Sequence, residues 1–230
     1  TLCAMADNGT LAVVTEDPGS AARLRIYSSS MEEQLSWSLT TTDGTPLRMA
    51  FSPDGRRLAV AAVTVSGGQM VTNFYIVTLA QGDPVLVGSG SGAAQWLSWP
   101  SAQSVLALCD SRAVLYNASG GEKAAYDFTG QTLRDISVDA SGNAALLLNV
   151  EGTAQVQAAN RIVRAGQSFY LLTDSGVECL STDGSSQWQQ SLSARPQGLL
   201  ADRKQLLVFC GNTVQVLTPP EAETSASGNP

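Results

Sequence analysis

The chain has no histidine and only two lysines, Lys123 and Lys204, among its 230 residues. Without an imidazole, Ser-His-Asp and Cys-His nucleophile systems, HExxH zinc sites and histidine-ligated metal centres are excluded. The formal net charge is −7 and the isoelectric point about 4.5. Phosphate backbones and anionic membrane surfaces need clustered Lys and Arg, so nucleic acid is not an expected partner and direct membrane insertion is not expected either. No apolar run approaches the ~20 residues of a membrane-spanning helix, and no secretory leader is visible. The four cysteines, Cys3, Cys109, Cys179 and Cys210, form no CxxC and no zinc spacing. Each lies in an apolar strand context and reads as a reduced core residue, although sequence alone leaves a disulfide among them open. There is no DxDxDG calcium loop. No metal and no cofactor are expected.

What the chain does contain is a hairpin written in a few letters. Phe51-Ser-Pro-Asp-Gly-Arg-Arg-Leu-Ala-Val-Ala61 joins two apolar stretches through a turn. Pro53 presets φ, Asp54 can bond backbone two residues on, and Gly55 accepts positive φ. Leu47, Met49 and Phe51 alternate with polar or small residues, the period of a half-buried strand. The run from Leu58 to Val63 is continuously apolar, as expected of a strand covered on both faces.

Looser copies follow. Asn8-Gly9 joins Met5 to Leu11; Ile136 to Leu148 turns at Gly142; Trp99 leads to Val105, and Leu199 to Leu206. After most hairpins comes an outer strand, a polar turn and a strand with an aromatic: Tyr27 to Trp37, Tyr116 to Tyr126, Leu180 to Trp188. The first leucines of the second strands, Leu11, Leu58, Leu106 and Leu146, recur near the roughly 40-residue period of propeller blades. The fold class is therefore all-β: a β-propeller of four-stranded antiparallel blades, with five to six blades visible, forming part of a seven- or eight-bladed ring. The propeller is expected over residues 1–217, with a disordered polar tail over 218–230. The blades are expected over 1–40, 41–90 and up to about Phe128, then in two less distinct units, with a last three-stranded one from Pro196 to Leu217. Ile162-Val163 either ends one blade or opens the next, near residue 160. Gly88-Ser-Gly-Ser-Gly92 lacks GxGxxG and GK[ST] and reads as a flexible interblade loop.

The hairpin at Phe51 resembles the repeats of WD40-like and TolB-like propellers, and Gly176-Val-Glu-Cys-Leu…Asp183-Gly184…Trp188 resembles those of pyrroloquinoline-quinone-type propellers. The Trp-Asp and Gly-His pairs of true WD40 repeats are absent. The whole layout is similar to uncharacterised, membrane-anchored propeller domains of Gram-positive gut bacteria. That resemblance implies an extracytoplasmic domain of unknown function, tethered by an anchor and preceded by earlier blades upstream of Thr1. It carries no catalytic residues over to this chain.

Propellers commonly bind where one blade's outer strand passes to the next blade's inner strand, here 41–46, 88–94, 129–132 and 193–196. Arg48, Trp96 and Asp135 occupy equivalent positions, three residues before Phe51, Trp99 and Val138, with Arg134 and Arg195 nearby. These five are the candidate binding residues, since Arg and Trp anchor interfaces; interblade packing and rim ion pairs are the alternative role. Alanine at Arg48, Trp96 and Arg195 together is expected to abolish partner capture without unfolding. The functional expectation is a non-catalytic, monomeric binding module for a protein or cell-wall glycan. A carboxylate-based glycan hydrolase or lyase and a cytosolic scaffold are the alternatives. For the enzyme, Ser181-Thr-Asp183-Gly184-Ser-Ser-Gln-Trp188 imperfectly resembles the Asp-box turn of sialidase propellers, with its Gly one place early. Most acidic residues, Asp7, Asp54, Asp139, Asp174, Asp183 and Asp202, read as turn and cap residues.

Overall fold

A computed structural model describes residues 2–138, 144–150, 159–201 and 204–219. Among these residues there is no helix, and so none long and apolar enough to cross a membrane. The described residues fall into two compact units, one running to Gly130 and the other starting at Gln131.

The first unit holds three four-stranded antiparallel sheets in meander order. The first sheet contains β1 (Leu2–Met5), β2 (Leu11–Thr15), β3 (Ala22–Tyr27) and β4 (Glu33–Leu39); the second contains β5 (Thr45–Phe51), β6 (Arg57–Ser66), β7 (Gln69–Thr78) and β8 (Pro84–Ser91). The third contains β9 (Ala94–Ser101), β10 (Ser104–Cys109), β11 (Arg112–Asn117) and β12 (Glu122–Asp127). In the second unit β13 (Gln131–Val138) pairs with β14 (Ala144–Val150). A four-stranded sheet follows: β15 (Arg161–Ala165), β16 (Ser168–Leu172), β17 (Gly176–Leu180) and β18 (Ser186–Ser191). The last sheet has three strands, β19 (Gly198–Ala201), β20 (Leu206–Cys210) and β21 (Thr213–Leu217). Ile162 thus opens a blade rather than ending one. The turn expected at Gly142 and the tail beyond Pro219 lie outside the described residues.

The continuous apolar run of β6 serves two cores. Leu58, Val60 and Ala62 pack with Leu24, Ile26 and Leu39 of the first sheet, while Ala59 and Ala61 pack with Trp99, Val105 and Cys109 of the third. In a strand, neighbouring side chains point to opposite faces, so a strand between two sheets has no polar face to spare. In the second unit Tyr170, Leu172, Val177 and Cys179 pack against Leu199, Leu206 and Val208. The turn after Phe51 forms as its residues dictate. Ser52 Oγ donates to Asp54 Oδ1 (2.6 Å), as does the Arg56 N–H (3.1 Å), and Gly55 takes φ 65°.

A second repeat lies in the register. Each fourth strand of the four-stranded sheets carries one extra residue in its first half: Gln34, Val87, Lys123 and Gln187. A bulge increases local twist and disturbs pairing on the strand, which suits an edge strand.

Two expectations are corrected. Gly88 to Ser91 is not a loop but the second half of β8, paired with β7 through Phe74↔Gly88, Asn73↔Ser89 and Val71↔Ser91. Its glycines make room for the neighbouring sheet. A Cβ on Gly88 would lie 2.3 Å from Tyr116 Cε1, and one on Gly90 would lie 2.9 Å from Cys109 Sγ. The cysteines are all free, and Cys109, Cys179 and Cys210 are buried, but Cys3 is exposed on β1. Alternation along β1 puts Cys3 on the same open face as Met5.

Candidate functional site

Antiparallel order places the loop into a blade's first strand at the same end of the sheet as the turn between its second and third strands. For the second sheet these are residues 40–44 and the Gly67-Gly68 turn. At this end the first strands β5, β9 and β13 each carry a bulge, at Leu47, Gln95 and Arg134. The residues just after the first two bulges and the third are Arg48, Trp96 and Asp135, which pair with Ala61, Leu108 and Leu147. The three positions are therefore structurally equivalent. The first strands β1, β15 and β19 pair without a bulge.

The five candidates divide by what they touch. Arg48 and Arg134 are exposed and make no ion pair or side-chain hydrogen bond with another described residue. Trp96 is 36% exposed, its Nε1 donating locally to Ser98 Oγ (2.9 Å). Asp135 is tied into the fold: its Oδ2 accepts the Ile162 N–H (2.9 Å), and Arg161 stands 3.8 Å from Oδ1. Ser137 Oγ likewise accepts the Arg164 N–H (3.0 Å), so β13 side chains satisfy edge amides of β15. Arg195 donates to Asp174 Oδ1 (2.9 Å), which also accepts from Asn160 Nδ2 (3.0 Å). These two bonds, the arginine's first, lower the Asp174 pKa.

The feature that the sequence did not single out is a groove at the same end of the second sheet. The β6–β7 hairpin is ten residues on each side. It overhangs β5, whose pairing ends at Thr45↔Val63. The groove, about 780 Å³, is lined by Thr41, Thr42, Thr64, Ser66, Asn73 and Ser89, with Val65 and Val71 as its apolar contribution. Residues 40–44 are pinned beside it. Thr64 Oγ1 donates to Thr41 O (2.8 Å), and Asn73 Nδ2 donates to Thr42 O (3.2 Å) and Asp43 O (3.4 Å). Asp43 Oδ2 accepts the Thr40 N–H (2.8 Å) and hydroxyl (2.7 Å), and its Oδ1 accepts from Tyr75 (3.3 Å). Gly44 is required here, since its φ is 99° and a Cβ would lie 2.5 Å from Val63 O. Thr41, Thr42 and Ser89 fall within segments expected to carry a ligand. Thr64, Ser66 and Asn73 do not, and only the β6–β7 register brings them to this end.

Ser89 also borders a smaller pocket of about 300 Å³ between the second and third sheets, lined among others by Cys109, Tyr116, Arg112 and Asp127. Burial pushes the Cys109 thiol up to about 11, so it stays protonated and unreactive at neutral pH. Arg112 is paired with both oxygens of Glu122, at 2.9 and 3.0 Å. Hydrogen bonds from Thr129 lower the Asp127 pKa. Among the described residues no three His, Cys, Asp or Glu side chains group as a metal site.

A family model described as a family of unknown function (DUF5711) matches residues 3–79. No curated protein sequence matches the chain. Solved β-propeller structures do. The chain is similar to oligogalacturonate lyase in complex with manganese, at TM-score 0.57 and 12% identity, over 94% of this chain and 76% of that one. It is similar to the complex of KlAtg21 with the coiled-coil of AgAtg16, at TM-score 0.55 and 12% identity, over 96% and 81%. Kluyveromyces lactis Hsv2 aligns at TM-score 0.53 and 11% identity, over 94% and 73%. With the antiparallel four-stranded sheets, these likenesses make the fold a β-propeller. At such identities they speak for the scaffold alone.

Proposed function

We propose that the chain is a non-catalytic binding module that works outside the cytoplasm and holds a protein or cell-wall glycan at the loop-bearing end of its blades. The observation that carries the reading is the recurring bulge of β5 and β9, which leaves Arg48 and Trp96 exposed at one structural position of neighbouring strands. Bulges re-aim side chains and concentrate beside functional sites, and Arg and Trp are the commonest interface anchors. Asp135 and Arg195 are spent on ties within the fold and Arg134 is itself the bulged residue of β13, so Arg48 and Trp96, at one position of neighbouring strands, carry the recognition. The placement outside the cytoplasm rests on the resemblance to membrane-anchored propeller domains.

Five of the carboxylates are poorly suited to glycan hydrolysis. A glycan hydrolase needs one carboxyl held protonated, with a raised pKa. Asp17, Asp54, Asp127, Asp174 and Asp183 are all shifted the other way by hydrogen bonds. The scaffold itself does not choose, since propellers host both lyases and binding proteins.

The test compares wild type with an Arg48→Ala/Trp96→Ala double variant for retention on Gram-positive cell-wall sacculi and on solubilised envelope protein. Wild type should be retained by one of these, and the double variant should lose at least tenfold with its melting temperature kept. Equal retention would remove the recognition role. Turnover of wall glycan, lost when a single Asp or Glu is neutralised, would replace the module with an enzyme.

A further inference from the structure

We propose that the groove beside the β6–β7 hairpin binds a neutral glycan chain. The proposal rests on the binding-module reading and names the ligand class for one part of that end. None of the side chains lining the groove is ionised. The hydroxyls of Thr41, Thr42, Ser66 and Ser89 make no side-chain hydrogen bond with another described residue. Thr64 and Asn73 each spend their donors on residues 41–43, which leaves their oxygens free to accept. A hydroxyl both donates and accepts, and a carboxamide oxygen accepts. Such a surface complements a ligand whose own groups are hydroxyls and amides, which describes a neutral sugar chain.

Other ligand classes fit less well. An anionic ligand would find no cation in the groove, and a cation would find no carboxylate among its lining residues. A protein partner needs aromatic or large apolar anchors at its centre, and the groove offers only Val65 and Val71. Its volume, about 780 Å³, lies within the ~300–1,000 Å³ of small-ligand sites. Geometry contributes as well. Asn73 stands opposite Ser89 across β7–β8 at the strand separation of ~4.8 Å, and Thr64, opposite Val71 across β6–β7, lies diagonal to Asn73, so the three polar groups share one face of the sheet. A linear chain can lie along this face, and Thr41 and Thr42 of the preceding loop wall one side of it.

The test is affinity electrophoresis of the whole chain in gels containing hydroxyethylcellulose, glycol chitin, mannan, starch or xyloglucan, with heparin and pectate as charged controls. At least one neutral polysaccharide should retard the wild type and neither charged one should. Asn73→Ala should weaken the retardation at least tenfold. Because Asn73 also pins the loop, Ser89→Phe is the second variant: it fills the groove, leaves both Asn73 bonds in place, and should weaken retardation equally with an unchanged melting temperature. Retardation by none of the neutral polysaccharides, or retardation indifferent to Ser89→Phe, would overturn the proposal. The two readings separate in the same samples. If neutral polysaccharides fail while sacculus retention still depends on Arg48 and Trp96, the glycan assignment falls and the module stands. If retention is also lost, the module falls with it.

Discussion

The β6–β7 hairpin in the first unit and the β16–β17 hairpin in the second are the same element of the repeat, built to different ends. One is ten residues a side with a Gly67-Gly68 turn, the other five a side with Thr173, Asp174 and Ser175 at its tip. The long hairpin holds the loop that precedes its sheet, and the short one holds Asn160, just before β15, and Arg195, in the segment leading into β19. In the long hairpin the ties are neutral, from Thr64 and Asn73 to backbone carbonyls, and they leave a groove open beside them. In the short one the ties converge on a single carboxylate, with Asn160 and Arg195 both donating to Asp174 Oδ1. The cores beneath are alike, with Leu58 and Leu172 almost wholly buried. A propeller blade thus keeps its interior and spends its variation at the loop-bearing end, where extra length costs little because each added rung brings its own hydrogen bonds.

The largest effect should come from the interior. Gly88→Ala pushes a Cβ to 2.3 Å from the buried Tyr116 ring and should destabilise by about 1–3 kcal/mol. Gly184→Ala meets nothing within 4 Å but must hold φ at 85°, and should cost about 1 kcal/mol. Urea unfolding of the two variants separates packing from backbone strain. A neutral Gly88→Ala would mean that the close approach of the second and third sheets is not what the glycine serves.

Next are the loop ties. Asn73→Ala removes two neutral bonds and should cost about 0.5–1.5 kcal/mol. Arg195→Ala removes an ion pair whose side chains are 76% and 54% exposed, and should cost less than Asn73→Ala. The decisive difference is salt. The Arg195 effect should fade at 1 M sodium chloride, where the screening length drops to about 3 Å, and the Asn73 effect should not. Equal salt responses would erase the contrast between the two hairpins.

The smallest effect is acid sensitivity. Asp183 is held down to about 2, first by the Ser181 hydroxyl and then by the Ser185 N–H. A depressed carboxylate contributes stability that is fully present above its unfolded value of about 3.9 and is lost as pH falls through the folded value. The unfolding midpoint should therefore decline from about pH 4 toward pH 2, and Asp183→Asn should flatten its share of that decline. A wild-type profile that is already flat across this window would remove the turn's electrostatic part.

How much of this was legible depended on how local the cause was. The Pro53-Asp54-Gly55 turn and the two-faced strand from Leu58 announce themselves, because turn chemistry and apolar period act within a few residues. Gly88 and Gly90 misled for the converse reason: glycine, the commonest loop signal, here answers to Tyr116 and Cys109 on another sheet. The blade boundary near residue 160 was open until pairing placed Ile162 on β15. The equivalence of Arg48, Trp96 and Asp135 was readable from spacing. That Asp135 and Arg195 are engaged was not, because their partners Ile162 and Asp174 are distant in the chain. The groove was half-visible: its loop residues were within the segments expected to bind, and its hairpin residues emerge only from register.

The most direct measurement is an amide-resolved NMR titration of the whole chain with oligosaccharides cut from whichever neutral polysaccharide retards it. Shifts concentrated at Thr41, Thr42, Thr64, Asn73 and Ser89, with Asp174 and Arg195 unmoved, are the expected result. Shifts at Asp174 and Arg195 with a silent β6–β7 hairpin would contradict the division of roles between the two hairpins.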